Sequence, residues 1–206
     1  PDGFVYAKDI QDIPNKISDV TCAVLLELVQ GEGGITPFDR SEIQALAKLL
    51  KEKNILLMID EVQTGIYRSG ELFASQCYVI TSDVITTAKG LAGGVPIGAV
   101  MTRLKDIFAP GDHGSTFGGN FLSTRAALEV LEILKEEKQR GRLDETILYF
   151  SQKLQALQKS YPEIFIEEIG LGLMRGLRVR DLDTLTHFLQ KAYENGVLVL
   201  KSGKNT

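Results

Sequence analysis

Between residues 20 and 102 short apolar runs alternate with stretches of helical periodicity, the pattern of strands laid into a buried, mostly parallel sheet. The runs fall at residues 22–29, 55–59, 84–87 and 97–101. Between the first two, Asp39 and Glu42 stand at capping-box spacing, and Ile43, Leu46, Ala47 and Leu50 follow on one helical face. Each strand is followed by glycines, at 31–34, 65–70 and 90–98. Ligands of open α/β sheets sit outside the carboxyl ends of the strands, so polar residues there come first as candidates.

Beyond a Gly-rich stretch at 111–119 the pattern changes. Leu122, Ala126, Val130, Leu131 and Leu134 predict a long helix, and Leu143, Ile147, Leu154 and Leu157 a second. The tail reads as strands at 164–169 and 171–179, a helix at 182–193 and a strand at 197–200. This α+β pattern predicts a boundary near residue 120. Residues 1–120 would form a large α/β domain, and 121–206 a bridging helix with a smaller domain.

Composition narrows the classes without changing that picture. A chain of 206 residues, 44% hydrophobic and 24% charged, can build a core without a metal or disulfide staple. Two unclustered cysteines, Cys22 and Cys77, form neither a disulfide framework nor a zinc site, which fits a reducing cytoplasm. A net charge of -4 with scattered Lys and Arg argues against a nucleic-acid face. No run approaches the roughly 18 apolar residues of a membrane span. Pro1-Asp2-Gly3 shows neither an initiator Met nor a signal-peptide pattern, leaving the native start open.

The sharpest local feature is an apolar strand, residues 56–59, delivering Asp60 and Glu61 at its end. Many ATPases place a magnesium-binding Asp and an activating Glu this way, but no G-x-x-x-x-G-K-[ST] phosphate loop occurs in the chain. Lys89 closes another β-type run directly before glycines. A lysine among small and apolar residues favours the neutral amine that attacks aldehydes. Asp at one strand end and Lys at the next suit a cofactor whose pyridine nitrogen needs a negative partner and whose aldehyde needs an amine, namely pyridoxal phosphate.

At these residues the chain resembles the class III pyridoxal-phosphate aminotransferases, of the ornithine and acetylornithine type. Ile59-Asp60-Glu61-Val62-Gln63-Thr64-Gly65, with Arg68 and Gly70, is similar to the family's strand-loop signature. Thr87-Ala88-Lys89-Gly90 resembles its cofactor-lysine motif, and Gly114-Ser115-Thr116-Phe117-Gly118-Gly119-Asn120 its phosphate-and-dimer loop. Gln30-Gly31-Glu32-Gly33-Gly34 matches a block upstream, and residues 171–176 resemble a small-domain strand.

The resemblance implies the type I pyridoxal-phosphate transferase fold, with part of a small α+β C-terminal domain. It implies that Lys89 bonds the cofactor's aldehyde and, once substrate displaces it, shuttles a proton. Asp60 would hold the pyridine nitrogen protonated. Val62 would lie on one ring face and Gln63 near the ring hydroxyl. Ser115 and Thr116 would bind the phosphate in the neighbouring subunit of a homodimer. Glu32 would be a gating glutamate that holds an arginine away from one substrate and releases it for the dicarboxylic one. The implied reaction moves an amino group from N-acetylornithine to 2-oxoglutarate in arginine biosynthesis. Other class III donors (4-aminobutyrate, succinylornithine, ornithine) are the alternatives. Leu28 and Phe121-Leu122-Ser123 depart from the family pattern at positions outside the chemistry. The family's N-terminal phosphate loop and its substrate arginine have no counterpart in these residues, so the resemblance implies a fragment, inactive alone. A non-catalytic fragment keeping only the dimer surface is the rival. Glu27 is read with equal weight as cofactor-proximal or structural; His113 and His187 are read as structural.

Overall fold

The computed structural model describes residues 2–206. A short helix, α1 (Ile13–Lys16), precedes β1 (Ala23–Leu26), β2 (Val29–Gln30), β3 (Thr36–Pro37) and α2 (Arg40–Glu52). Then come β4 (Leu56–Asp60), α3 (Ala74–Cys77), β5 (Val84–Thr87), a 3₁₀ turn at Lys89–Ala92, and β6 (Ala99–Thr102). The remainder comprises α4 (Phe121–Gln139), α5 (Arg142–Ser160), β7 (Phe165–Leu171), β8 (Met174–Val179) and α6 (Leu182–Glu194).

The main sheet has the order β1-β4-β5-β6; β1, β4 and β5 run parallel and β6 returns antiparallel to β5. The expected mostly parallel sheet is therefore present. One face of it carries the core, where Ile43, Leu46 and Leu50 of α2 meet Leu57 and Ile59 of β4, with Val24, Leu26 and Tyr78 around them. The other face is open along its two edge strands. Leu25 and Val100 share it with their register partners Met58 and Thr86, and are 55% and 57% exposed, so apolar area is available there for a partner surface.

Asp39 caps α2, its carboxylate accepting from the Ser41 and Glu42 amides. The Ser41 hydroxyl and these amides hold the Asp39 carboxyl below its usual range. The reciprocal half of the expected capping box does not form; the Glu42 carboxylate accepts from the Gln11 side chain instead.

Two expectations are corrected. The run at 22–29 is not one strand: it breaks at Glu27-Leu28, and Val29 turns to pair antiparallel with Pro37. The Leu28 carbonyl is taken by the Phe38 amide and the Tyr78 hydroxyl, leaving it no place in the main ladder. The run at 197–200 forms no strand, because no neighbouring strand among the described residues offers it a ladder. Its side chains stay exposed, Leu198 at 83% and Leu200 at 92%.

Tyr78 links the α2 side of the core to both loops. Its hydroxyl lies 2.9 Å from the carbonyls of Leu28 and of Phe38, and burial pushes its pKa up to about 12. The unfolded phenol ionises near pH 10, so the folded state holds its proton over the interval above that. Stability linked to Tyr78 is thus complete below about pH 10 and lost as the pH rises toward the folded value. Urea midpoints measured from pH 9 to 12 should fall with pH, and Tyr78→Phe should flatten that fall while lowering the midpoint at pH 8.

Two smaller cores complete the chain. Ala127 of α4, with Ala126, Val130 and Leu134 beside it, covers Leu91 and Ala92 of the 3₁₀ turn. Phe165, Val179 and Leu185 join the β7-β8 hairpin to α6, with Phe188 edge-on to Phe165 at 5.3 Å.

Candidate active site

Asp60 is the last residue of β4, and its register partner on β5 is Thr86. Partners in register point to one face, and the Thr86 hydroxyl lies 3.1 Å from Asp60 Oδ1. The Val62 amide donates to the same oxygen at 2.9 Å. Among the described residues nothing donates to Oδ2, so a half-buried carboxylate oxygen is left for an outside donor.

Lys89 follows β5 by one residue and opens the 3₁₀ turn with φ +45°, in the left-handed region that a lysine rarely adopts. Such backbone costs on the order of 1–3 kcal/mol and persists where surrounding structure over-determines it. Here α4 packs on the turn through Leu91 and Ala92. The side chain is exposed, and its amine forms no ion pair or hydrogen bond among the described residues. A carboxylate at the end of β4 and an unengaged amine just beyond the end of β5 therefore lie past the carboxyl ends of adjacent parallel strands, where ligands of open α/β sheets sit.

Glu61, next to Asp60, plays a different part. It is fully buried, and its carboxyl group accepts from the Thr64 hydroxyl and from the amides of Ala74 (2.9 Å) and Ser75 (2.8 Å). It ties the end of β4 to the start of α3 and closes the intervening loop, which carries Val62 and Gln63. No part of it is offered to a ligand.

Gln63 lays its side chain against Gly31, where a Cβ would come within 2.0 Å of Gln63 Oε1. Only glycine at 31 admits the amide in that position. Gln63, Val62 and Asp60 are all half-buried along one strand-end loop. Glu32 follows Gly31 with an exposed side chain. Its backbone is held by the far end of the chain: the Gly203 amide donates to the Glu32 carbonyl at 2.9 Å, and Ser202 Oγ accepts from the Gly34 amide at 2.9 Å while donating to Gly31. Glu27 is engaged structurally, accepting from the Gly31 amide at 3.3 Å.

Ser115 and Thr116 are not brought to this cluster. The whole 111–120 loop is exposed, with the Ser115 hydroxyl turned inward to the Gly118 amide at 2.9 Å. The expectation placed these residues in a neighbouring subunit's site, and their exposure leaves them available to one. His113 lies 6.4 Å from the Phe108 ring in the same region, and His187 sits on α6, both away from Asp60. Both cysteines are free, and burial pushes the Cys77 thiol up, making it a poorer nucleophile. No group of metal-ligating side chains occurs among the described residues, nor does any helix there have the length and apolarity to cross a membrane.

A mixed, mostly parallel sheet with a carboxylate and a free lysine at neighbouring strand ends is the architecture of the aspartate-aminotransferase-like transferases. The chain belongs to the class-III aminotransferase family, whose model matches residues 4–206. It is 63% identical over 206 residues to an acetylornithine aminotransferase from Wolinella succinogenes, covering all of this chain and 52% of that protein. An ornithine aminotransferase structure from Toxoplasma gondii superimposes with a TM-score of 0.85 at 33% identity, covering 95% of this chain and 47% of that one; it is described as showing partial occupancy of PLP at the active site. An acetylornithine aminotransferase structure from Elizabethkingia anophelis gives a TM-score of 0.81 at 31% identity, over 89% of this chain and 49% of that one. The chain thus spans about half the length of the curated relatives it matches.

Proposed function

We propose that this chain carries the cofactor lysine and the ring-nitrogen carboxylate of a pyridoxal-phosphate-dependent aminotransferase acting on N-acetylornithine and 2-oxoglutarate. The observation that supports it most is the pairing of an open Asp60 Oδ2 with an unengaged Lys89 amine at neighbouring strand ends. The residues fit the group. Asp60 Oδ2 would accept from the ring nitrogen, Val62 would cover a ring face, Gln63 would reach the ring hydroxyl, and Lys89 would bond the aldehyde. When bound, pyridoxal phosphate supplies an aldehyde that captures amines and a ring that draws electrons from the carbon bearing the nitrogen.

The chain's own residues would do the rest. Asp60 Oδ2 would hold the ring nitrogen's proton through a charge-assisted hydrogen bond. Lys89 Nζ would take the proton from the donor's amino-bearing carbon and return one on the acceptor side. Glu32, on its clamped loop, would sort the donor from the dicarboxylic acceptor. Ser115 and Thr116 would reach the phosphate of a second copy, making a cytoplasmic homodimer the working form. Residues 1–120 would be the cofactor-binding part, and 121–206 the bridging helix and smaller part. The donor follows the acetylornithine relative, against ornithine, succinylornithine and 4-aminobutyrate.

The test is covalent trapping. The purified chain mixed with pyridoxal phosphate and reduced with borohydride should be labelled selectively at Lys89, with the label absent in Lys89→Ala. Labelling scattered over the surface lysines, unchanged in Lys89→Ala, would overturn the reading. It would favour a chain that serves assembly through its open sheet face and exposed 111–120 loop.

A further inference from the structure

We propose that Thr86 is a positioning residue that aims Asp60 at the cofactor's ring nitrogen; the inference rests on the pyridoxal-phosphate reading above. The Thr86 hydroxyl and the Val62 amide both converge on Asp60 Oδ1, at 3.1 and 2.9 Å, while Oδ2 has no donor among the described residues. A carboxylate loaded on one oxygen only is held against rotation, and its other oxygen has a fixed direction. With the Val62 amide alone, the group could swing about a single hydrogen bond.

Thr86 is suited to this by its place in the sheet. Register with Asp60 sets both side chains on one face, and the Thr86 carbonyl accepts from the Glu61 amide at 2.8 Å, so the two strand ends are locked at this level. Threonine is stiff at χ1, so its hydroxyl direction follows from the strand backbone. Thr87, one residue on, faces the opposite side, and its buried hydroxyl has no partner among the described residues. Of the two adjacent threonines, only Thr86 can orient Asp60.

A chemical cycle on the whole chain tests this. Binding of pyridoxal phosphate, followed by the cofactor's absorbance and fluorescence, is compared with binding of the analogue in which carbon replaces the ring nitrogen. Thr86→Val keeps the shape and removes the donor. It should weaken pyridoxal phosphate about tenfold, because binding must then also order the Asp60 carboxylate. The same variant should bind the carbon analogue within about twofold of the unaltered chain, since that ligand makes no use of Oδ2. Thr86→Ser should restore most of the loss, and Thr86→Ala serves as the second donor-free variant should the valine disturb folding. An equal penalty on both ligands, or none on either, overturns the role of Thr86 alone. Failure of the unaltered chain to prefer pyridoxal phosphate over the carbon analogue overturns the reading of Asp60, and the inference with it.

Discussion

Replacing Glu61 with alanine should destabilise the chain by about 3–5 kcal/mol, more than any change at Asp60 beside it. The Glu61 side chain is fully buried and accepts from the Thr64 hydroxyl and the Ala74 and Ser75 amides. Truncation strands all of these donors in an apolar surround, and each unsatisfied buried group costs about 1–3 kcal/mol. Ala74 is itself fully buried against Ile59 and Tyr78, so water entering to satisfy the donors would have to open the core. Glu61→Gln retains one acceptor oxygen and turns an NH₂ toward a remaining donor, so its cost should be intermediate. Domains of this size are stable by roughly 5–15 kcal/mol, so Glu61→Ala consumes much of the total. Urea unfolding followed by circular dichroism should show the midpoint falling sharply, in the order Glu61, Gln, Ala. An alanine variant with an unchanged midpoint would sink the argument. Asp60→Ala supplies the contrast: Asp60 is half-buried and gives up one hydroxyl and one amide donor near solvent. It should unfold near the normal midpoint while losing selective labelling of Lys89. Neighbouring carboxylates at one strand end thus divide into one that holds the loop and one that is open to a ligand.

How much of this was legible in the chain follows from what each feature depends on. β5 forms at Val84–Thr87 as the apolar run predicts, because a short β-branched segment between polar residues has little else to become. Asp60 and Lys89 were legible because local sequence alone places them at strand ends. Thr86 was not: whether it faces Asp60 depends on the β4-β5 register, which periodicity within one strand does not specify. Glu61 could be read only as a strand-end carboxylate, since its two amide partners lie 13 and 14 residues further on, at the start of a four-residue helix that no apolar pattern announces. The clamp around Glu32 by Ser202 and Gly203 joins segments 168 to 171 residues apart, beyond any local signal. The tail at 197–200 misled in the opposite direction. A continuous apolar run becomes a strand only where a neighbour supplies a ladder, and none is present among the described residues.

Gly172→Ala should cost about 3 kcal/mol or more and act on the site from a distance. Gly172 sits at the tip of the β7-β8 hairpin with φ +60°, and a Cβ there would lie 2.3 Å from the Ser69 carbonyl carbon and 2.7 Å from the Arg68 carbonyl oxygen. Those are backbone atoms, so no rotamer change relieves the clash. The hairpin is further fixed by the Leu173 amide donating to the Arg68 carbonyl at 2.8 Å, and by Arg175, which donates to the Gly172 carbonyl at 2.8 Å and pairs with Glu168. Leu171 packs on the main core. An added methyl group must push the tip away, breaking the Leu173 bond and lifting Leu171. The Arg68-Ser69 segment closes the same loop that begins at Glu61 and carries Val62 and Gln63, so its displacement loosens those two residues. Gly196→Ala is the control, since it also has positive φ, +77°, but nothing lies within 4 Å of the added carbon. That variant bears the left-handed backbone alone, about 1–2 kcal/mol. The prediction is checked by urea midpoints together with amide exchange at Leu173, which should accelerate in Gly172→Ala and stay protected in Gly196→Ala. Equal losses in both variants would mean that backbone conformation, not the close approach of hairpin and loop, sets the cost. The hairpin would then be uncoupled from the loop that carries Val62 and Gln63.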